Sequence, residues 1–322
     1  MELTTVADDA AVIHRGAEVH RHDGLRPDTV YELDGLTFRT LPHPGGEMLC
    51  RFATVNDVHF GETVCGIIEG LDMGPIFSVA EGEPPYPETM NEGAVAEMSA
   101  IEPEVVLVKG DLTSNGTQEE YERFRSVYDA AFGDRLVHVR GNHESYHHLD
   151  VAAWPHQRID LPGAILVLLD TSVDGGVGGR LSVEPEPWLN DACATAARPV
   201  LAFGHHHPWT PAAVPPPDNY LGIAPDDSER LVALAARQPR FAGYFAGHTH
   251  RNRVRRFSAT GAVPWVEVAC VKDYPGAWAG YRVFEGGILQ IHHRISSPAA
   301  LSWTERTRDM YAGTYGPYAF GE

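Results

Sequence analysis

The chain has few cysteines, no long apolar run and a shortage of positive charge, and each shortage excludes something. Four cysteines, Cys50, Cys65, Cys193 and Cys270, are scattered through 322 residues with no C-x-x-C pair. Such spacing sets up neither a disulfide framework nor a thiolate zinc site, and it predicts the reduced thiols of a cytoplasmic protein. No stretch approaches the ~20 consecutive apolar residues that span a bilayer, so no contact with the membrane interior is expected. The opening MELTTVADDA is acidic and lacks the apolar core of a secretory signal. Lysine and arginine total 25 against 44 aspartates and glutamates, for a formal net charge of −19. A protein that grips polymeric nucleic acid usually carries a basic face, so that class is disfavoured. A small anionic substrate stays open, because bound metal ions invert the local field.

What is present is the composition of a globular protein with a sizeable core, 43% hydrophobic and 21% charged. Apolar strand-like runs (Arg51 to Val55, Val105 to Val108, LVHV, AILVLLD, PVLAF, FAGYFA) alternate with helical patterns. The helical patterns cover 90–102, TQEEYERFRSVYDAAF, PEPWLNDACATAA and PDDSERLVALAARQ. Thr117 followed by Glu120 is a capping-box signal for the second of them. This alternation is the signature of an α/β architecture, in which ligands gather at the carboxyl ends of strands. PWVEVACV, YRVFEG and ILQIHHRI read as closing strands, and residues 20–42 as a β-hairpin turning at Asp34-Gly35. Residues 61–89 and 208–225 read as irregular loops, and 296–322 as a polar, aromatic tail. The expected division is 1–47 as an N-terminal hairpin extension, 48–294 as the catalytic domain and 295–322 as a C-terminal tail.

Seventeen histidines stand out, many of them at strand ends. NDVHF offers Asp57 and His59, KGDLT offers Asp111, and RGNHE offers Asn142, His143 and Glu144. GHHHP offers His205, His206 and His207, and GHTH offers His248 and His250. Imidazoles with carboxylates and an amide suit zinc, manganese, iron or nickel. A lone Asp or His at a strand end is usually a cap or a turn residue; five such groups in order are not accounted for that way.

In this order, D-x-H, G-D, G-N-H-E, H-x-P and G-H-x-H resemble the calcineurin-like metallophosphoesterase superfamily, with the bacterial cyclic-nucleotide phosphodiesterase branch as the nearest pattern. The motifs run from Asp57 to His250, and the resemblance in fold reaches about residue 294. It implies a four-layer α/β/β/α sandwich of two mixed sheets flanked by helices. It implies two divalent or trivalent transition-metal ions. Asp57, His59 and His250 would hold the first, Asn142, His206 and His248 the second, and Asp111 would bridge. His143 would meet the phosphate or protonate the leaving oxygen, Glu144 would orient it, and His207 would reach the substrate. His206 is chosen because the family ligand stands two residues before the proline; His205 is then assigned to packing or to supporting a ligand from behind. The N-terminal Leu25, Pro27, Thr29 and Tyr31 resemble the end of the small β domain that precedes the catalytic domain in purple-acid-phosphatase-like relatives. Position 114 is Ser where those enzymes have a tyrosinate ligand, so no purple colour is expected.

The activity so implied is metal-dependent hydrolysis of a small phosphodiester, a cyclic nucleotide among the options. A phosphomonoesterase or nucleotidase on the same site is the alternative, and a non-catalytic scaffold on this fold is a third reading. Neither the native metals nor the oligomeric state, homodimer included, is fixed by the sequence.

Overall fold

The computed structural model describes residues 1–67, 72–154, 156–181, 185–209 and 221–320. Parts of both predicted loops, 68–71 and 210–220, therefore lie outside the described residues. The runs that are apolar throughout form central strands: Val106–Lys109, Ala164–Leu169 and Val200–Gly204 are buried at every position. Such strands are covered on both faces, which is why they show no alternation.

One sheet has five strands, in spatial order Leu136–Val139, Val106–Lys109, Met48–Val55, Ala277–Phe284 and Gly287–Arg294. Its first three strands are parallel, and the last two form an antiparallel hairpin joined to Met48–Val55. The other has six, in order His156–Leu161, Ala164–Leu169, Val200–Gly204, Phe241–Ala246, Pro264–Glu267 and Arg253–Arg256. Its four inner strands are parallel and both edges antiparallel. The sheets meet face to face through Phe52, Phe203, Phe245 and Tyr281. Phe52 stacks on Tyr281 at 4.3 Å and Phe203 on Phe245 at 5.1 Å. Each such pair contributes ~0.5–1.5 kcal/mol beyond its buried area.

Helices Tyr86–Ala100, Gln118–Phe132 and Pro298–Thr307 cover the outer face of the five-stranded sheet. Helices Pro185–Ala194 and Pro225–Arg237 cover the six-stranded one. This is the four-layer α/β/β/α sandwich expected from the sequence. The capping box forms as read, with Thr117 and Glu120 exchanging side-chain and backbone bonds. The N-terminal hairpin is Val30–Leu33 with Leu36–Arg39, turning through Asp34 and Gly35 at φ of 50° and 78°.

Three parts differ from expectation. A three-stranded sheet, Glu2–Val6, Ala10–Arg15 and Glu18–Asp23, precedes the hairpin. It packs Ala7 and Ala10 against Phe284, Leu289 and Ile291. The strand His156–Leu161 was not expected either. The C-terminal segment is not merely a tail: Ser297 caps a helix over Pro298–Thr307, and Trp303 stacks on Tyr86 at 4.3 Å.

Candidate metal centre

Each motif follows a strand, and all five strands open onto one edge shared by the two sheets. Asp57 and His59 follow Met48–Val55, Asp111 follows Val106–Lys109, and Asn142 and His143 follow Leu136–Val139. His205 to His207 follow Val200–Gly204, and His248 and His250 follow Phe241–Ala246. Asp57, His59, Asp111, His248 and His250 all adopt left-handed backbone, with φ between 46° and 69°. Such a conformation costs ~1–3 kcal/mol at a non-glycine residue and is held only where the surroundings impose it. Here it turns each side chain back toward the sheet edge. D-x-H and H-x-H thus aim both members inward without the extended backbone that their spacing suggested.

Backbone bonds tie these loops together. The Val58 and His59 N–H groups both donate to the Asp111 carbonyl at 2.9 Å, and Asp57 N–H donates to Gly110 O at 3.1 Å. A Cβ at Gly110 would lie 2.5 Å from the His205 ring, so only glycine permits this approach.

The donors converge as several overlapping sets, one of them made of His205, His206 and His248. Donor atoms of Asp57, His59 and His250 lie within 4.8 Å of one another, and so do those of Asp57, Asp111 and His205. His250 Nε2 lies 3.4 Å from Asp57 Oδ1, and His59 Nε2 lies 3.4 Å from Asp111 Oδ2. Asp111 also receives the His143 N–H on Oδ1 at 3.0 Å. His248 donates its backbone N–H to Asp57, while its buried Nε2 has no hydrogen-bond partner among the described residues.

The triple histidine departs from expectation. His205 Nδ1–H donates to the Lys109 carbonyl at 2.8 Å, which turns Nε2 to the centre. That atom lies 2.9 Å from Asn142 Oδ1 and 3.3 Å from Asp111 Oδ2. His206 stands beside His248, with ring centroids 4.7 Å apart, but both of its nitrogens are engaged. Nε2–H donates to Val177 O at 3.1 Å, and Nδ1 accepts from the Thr171 hydroxyl at 2.9 Å. A carbonyl and a hydroxyl thus hold both edges of the His206 ring, while His205 turns its Nε2 to Asp111 and Asn142; donor atoms of His205, His206 and His248 nonetheless lie within 4.8 Å of one another. His207 is buried beside Glu267 and the arginines Arg251, Arg253 and Arg255, and burial lowers it to about 4. No cluster of potential metal donors among the described residues includes it.

His143 and Glu144 also act differently from expectation. His143 Nδ1–H donates to Ser114 O at 2.7 Å, so Ser114 rather than Glu144 orients the ring and leaves Nε2 free for the site. Glu144 is fully buried and accepts from Gly141 N–H, Thr113 N–H and the Thr113 hydroxyl at 2.7–2.8 Å. It locks the loop of Asp111 to the loop of Asn142.

Charges follow the same logic. Burial pushes Asp57 and Asp111 up, but His250 beside the first and His205 beside the second overcome it and hold both below the usual carboxylate range. Burial alone would lower His59 and His205; facing carboxylates raise both to about 9. Carboxylate oxygens and imidazole nitrogens crowd together here, an arrangement that bound cations would stabilise. Carboxylate, amide and imidazole donors fit a transition metal, so the residues present suit the group the motifs imply; Cys270, beside His250, is held as a thiol that donates to Asp273 at 2.8 Å.

Several supporting residues went unnoticed in the sequence. Glu62 lies 3.2 Å from His59 Nδ1 through Oε2, and Lys272 Nζ holds both of its oxygens at 2.7–2.8 Å. Asn56 donates to Asp57 and to the Val268 carbonyl. Tyr315, from the C-terminal segment, brings its ring to 6.1 Å from that of His250. Glu62 was findable, three residues after His59; Lys272 and Tyr315 were not, being distant in the chain.

Residues 50–252 match the family model described as calcineurin-like phosphoesterase. The chain is 27% identical over 240 residues to a probable glycerophosphodiester phosphodiesterase of Arcobacter nitrofigilis, covering 68% of this chain and 82% of that protein. It is 30% identical over 163 residues to a cAMP/cGMP dual specificity phosphodiesterase of Mycobacterium tuberculosis, covering 47% of this chain and 50% of the relative. In fold it is similar to a dimetal phosphatase from Danio rerio, with a TM-score of 0.55, 16% identity, and 78% of this chain and 100% of that one covered. Among the described residues no helix is long and apolar enough to cross a membrane. The chain belongs to the calcineurin-like phosphoesterase family, whose members are metal-dependent hydrolases of phosphate esters.

Proposed function

We propose that the chain hydrolyses a small phosphodiester with two transition-metal ions, manganese, iron, zinc or nickel, held at this edge. Asp57, His59 and His250 would hold the first ion, Asn142, His205 and His248 the second, and Asp111 both. The observation that carries this reading is the junction at Asp111. Its carboxylate lies between the His59 Nε2 of one set and the His205 Nε2 of the other, at 3.4 and 3.3 Å. When bound, two such ions supply a nucleophile at neutral pH and Lewis acidity toward the phosphoryl oxygens.

The chain's own residues do the rest. Asp111 and Glu144 fix the spacing of the loops. Ser114 O holds the His143 proton on Nδ1, so Nε2 enters the site as an acceptor, or as a donor once protonated. Burial, with His59 next to it, lowers His143 to about 4 in the protein without ions. That keeps the ring neutral at pH 7, so Nε2 would meet a phosphoryl or leaving oxygen as a hydrogen-bond acceptor. Glu62, backed by Lys272, holds His59 in place.

Diester specificity is supported by the relatives, which are named for cyclic-nucleotide and glycerophosphodiester substrates. The net charge of −19 favours a small substrate over polymeric nucleic acid. Four free, buried cysteines accord with a cytoplasmic location. Side-by-side turnover of bis-p-nitrophenyl phosphate and p-nitrophenyl phosphate tests the reading. Faster hydrolysis of the diester is expected; a strong preference for the monoester would replace it with a phosphomonoesterase.

A further inference from the structure

The outer face of the five-stranded sheet is covered in two pieces. The helix Tyr86–Ala100 lies over one part, and the N-terminal three-stranded sheet lies over the hairpin of the last two strands. Between them is a cavity of about 540 Å³, lined by none of the residues of the metal centre. Small-molecule sites occupy roughly 300–1,000 Å³.

The lining is rich in arginine: Arg21, Arg51, Arg282 and Arg294 line it with one carboxylate, Glu97. Arg21 is paired with Asp23 at 2.9 Å and Arg294 with Glu305 at 2.6 Å. Both Glu97 oxygens are already engaged, one by Trp278 Nε1–H at 2.8 Å and the other by Ser296 N–H at 2.6 Å. Arg51 and Arg282 are direct partners across adjacent antiparallel strands. Like charges placed opposite each other destabilise a sheet unless something answers them. Arg282 is answered by Asp8 at 2.8 Å and Asp9 at 2.9 Å. The Arg51 guanidinium makes no hydrogen bond or ion pair with any described residue, although the residue is half-buried.

The floor is built to stay open. Trp278 and His293 stack with centroids 4.0 Å apart, and Gly280 lies beside them. A Cβ on Gly280 would stand 3.1 Å from His293 Nε2 and 3.3 Å from the Trp278 ring. Val12, Val19 and Ile101 supply apolar lining, with Val12 the cross-strand partner of Arg21.

We propose that this cavity binds a small organic anion, a phosphate ester or a carboxylate with a compact apolar body, at a site separate from the metal centre. The acidic group would bridge Arg51 and Arg282, with Arg21 at the mouth, and the apolar body would lie along Val12, Val19 and Ile101. Paired guanidiniums match the flat, two-oxygen edge of such groups.

The test is calorimetric titration of the metal-loaded full chain with phenylphosphonate, which is not hydrolysed, and with benzoate. Both are run on the wild type, Arg51→Gln, Arg51→Lys and Val19→Trp; the last fills the mouth from a position that is 39% exposed. Binding of phenylphosphonate at the metal centre is common to all four proteins, so the difference between them reports the cavity. We expect at least one probe to bind tenfold or more weakly to Arg51→Gln and Val19→Trp, with binding largely retained in Arg51→Lys. Hydrolysis of bis-p-nitrophenyl phosphate should be unchanged throughout. Which probe responds distinguishes phosphate-type from carboxylate-type ligands. Isotherms for both probes that are identical in the wild type, Arg51→Gln and Val19→Trp would overturn the proposal.

Discussion

The five-stranded sheet delivers Asp57, His59, Asp111, Asn142 and His143 to the shared edge, and the six-stranded sheet delivers His205, His206, His248 and His250. Every carboxylate in the set comes from the first sheet; the second brings only imidazoles. The first group is cross-linked by backbone bonds from Asp57, Val58 and His59 to Gly110 and Asp111, and by Glu144 between the loops. The second is tied by Gly247 N–H to His205 O, by the Tyr244 hydroxyl to His206 O, and through the rings to Lys109 O, Thr171 and Val177 O. In the proposed centre the charged half holds the carboxylate shared by both ions, while each imidazole of the other half would serve one. Loss on one side should empty the whole centre, and loss on the other only part of it.

Four substitutions and one titration probe that asymmetry, and the largest effect belongs to Asp111. Asp111→Asn should lose both ions by elemental analysis and several kcal/mol of transition-state stabilisation, on the order of 10³-fold in kcat/KM. His205→Ala should retain one ion and lose on the order of 10²-fold. Glu62→Gln removes the carboxylate behind His59 and should weaken metal affinity by roughly 10–100-fold, with little change in kcat at saturating metal. His206→Ala should keep both ions and stay within about tenfold of the wild type, since its bonds are to Thr171 and Val177 rather than to the donor set. If His206→Ala lost an ion and His205→Ala did not, the division between the two histidines would be reversed.

The smallest effect lies outside the centre. Burial lowers His14, His138 and His292 to about 4 and His293 to about 3, against an ordinary 6.5. As pH falls through 6.5 the unfolded chain takes up these protons and the folded chain does not. The stability that depends on their neutrality is thus present above pH 6.5 and is lost between pH 6.5 and 4. The ceiling is ~1.4 kcal/mol per pH unit for each histidine. Urea midpoints at pH 7 and pH 5 should fall accordingly, and less steeply in His138→Asn; equal slopes would remove His138 from the set.

The sequence made the centre legible because strand ends carry their chemistry locally: Asp57, Asp111, Asn142 and His248 each sit directly after an apolar run. Among His205, His206 and His207 the spacing to proline points to His206, and it carries no trace of Thr171, Val177 and Lys109, the partners from other strands and loops that hold the His206 and His205 rings. The Glu62–Lys272 pair, 210 residues apart, is likewise a product of topology. The sandwich was readable from alternating apolar and amphipathic runs, whereas the N-terminal strands were not. Glu18–Asp23 is polar and largely exposed, and its pairing depends on neighbours rather than on its own pattern. The C-terminal helix was hidden by Pro298, although Ser297 followed by proline is itself a helix-start signal.

The most direct measurement is metal content and bis-p-nitrophenyl phosphate turnover on the same preparations of wild type, Asp111→Asn and His205→Ala. Near two, near zero and near one ion per chain, with chelator-sensitive turnover falling in that order, is the expected result. Wild-type turnover that persists after the ions are stripped, or full activity in Asp111→Asn, would contradict a dinuclear centre joined at Asp111.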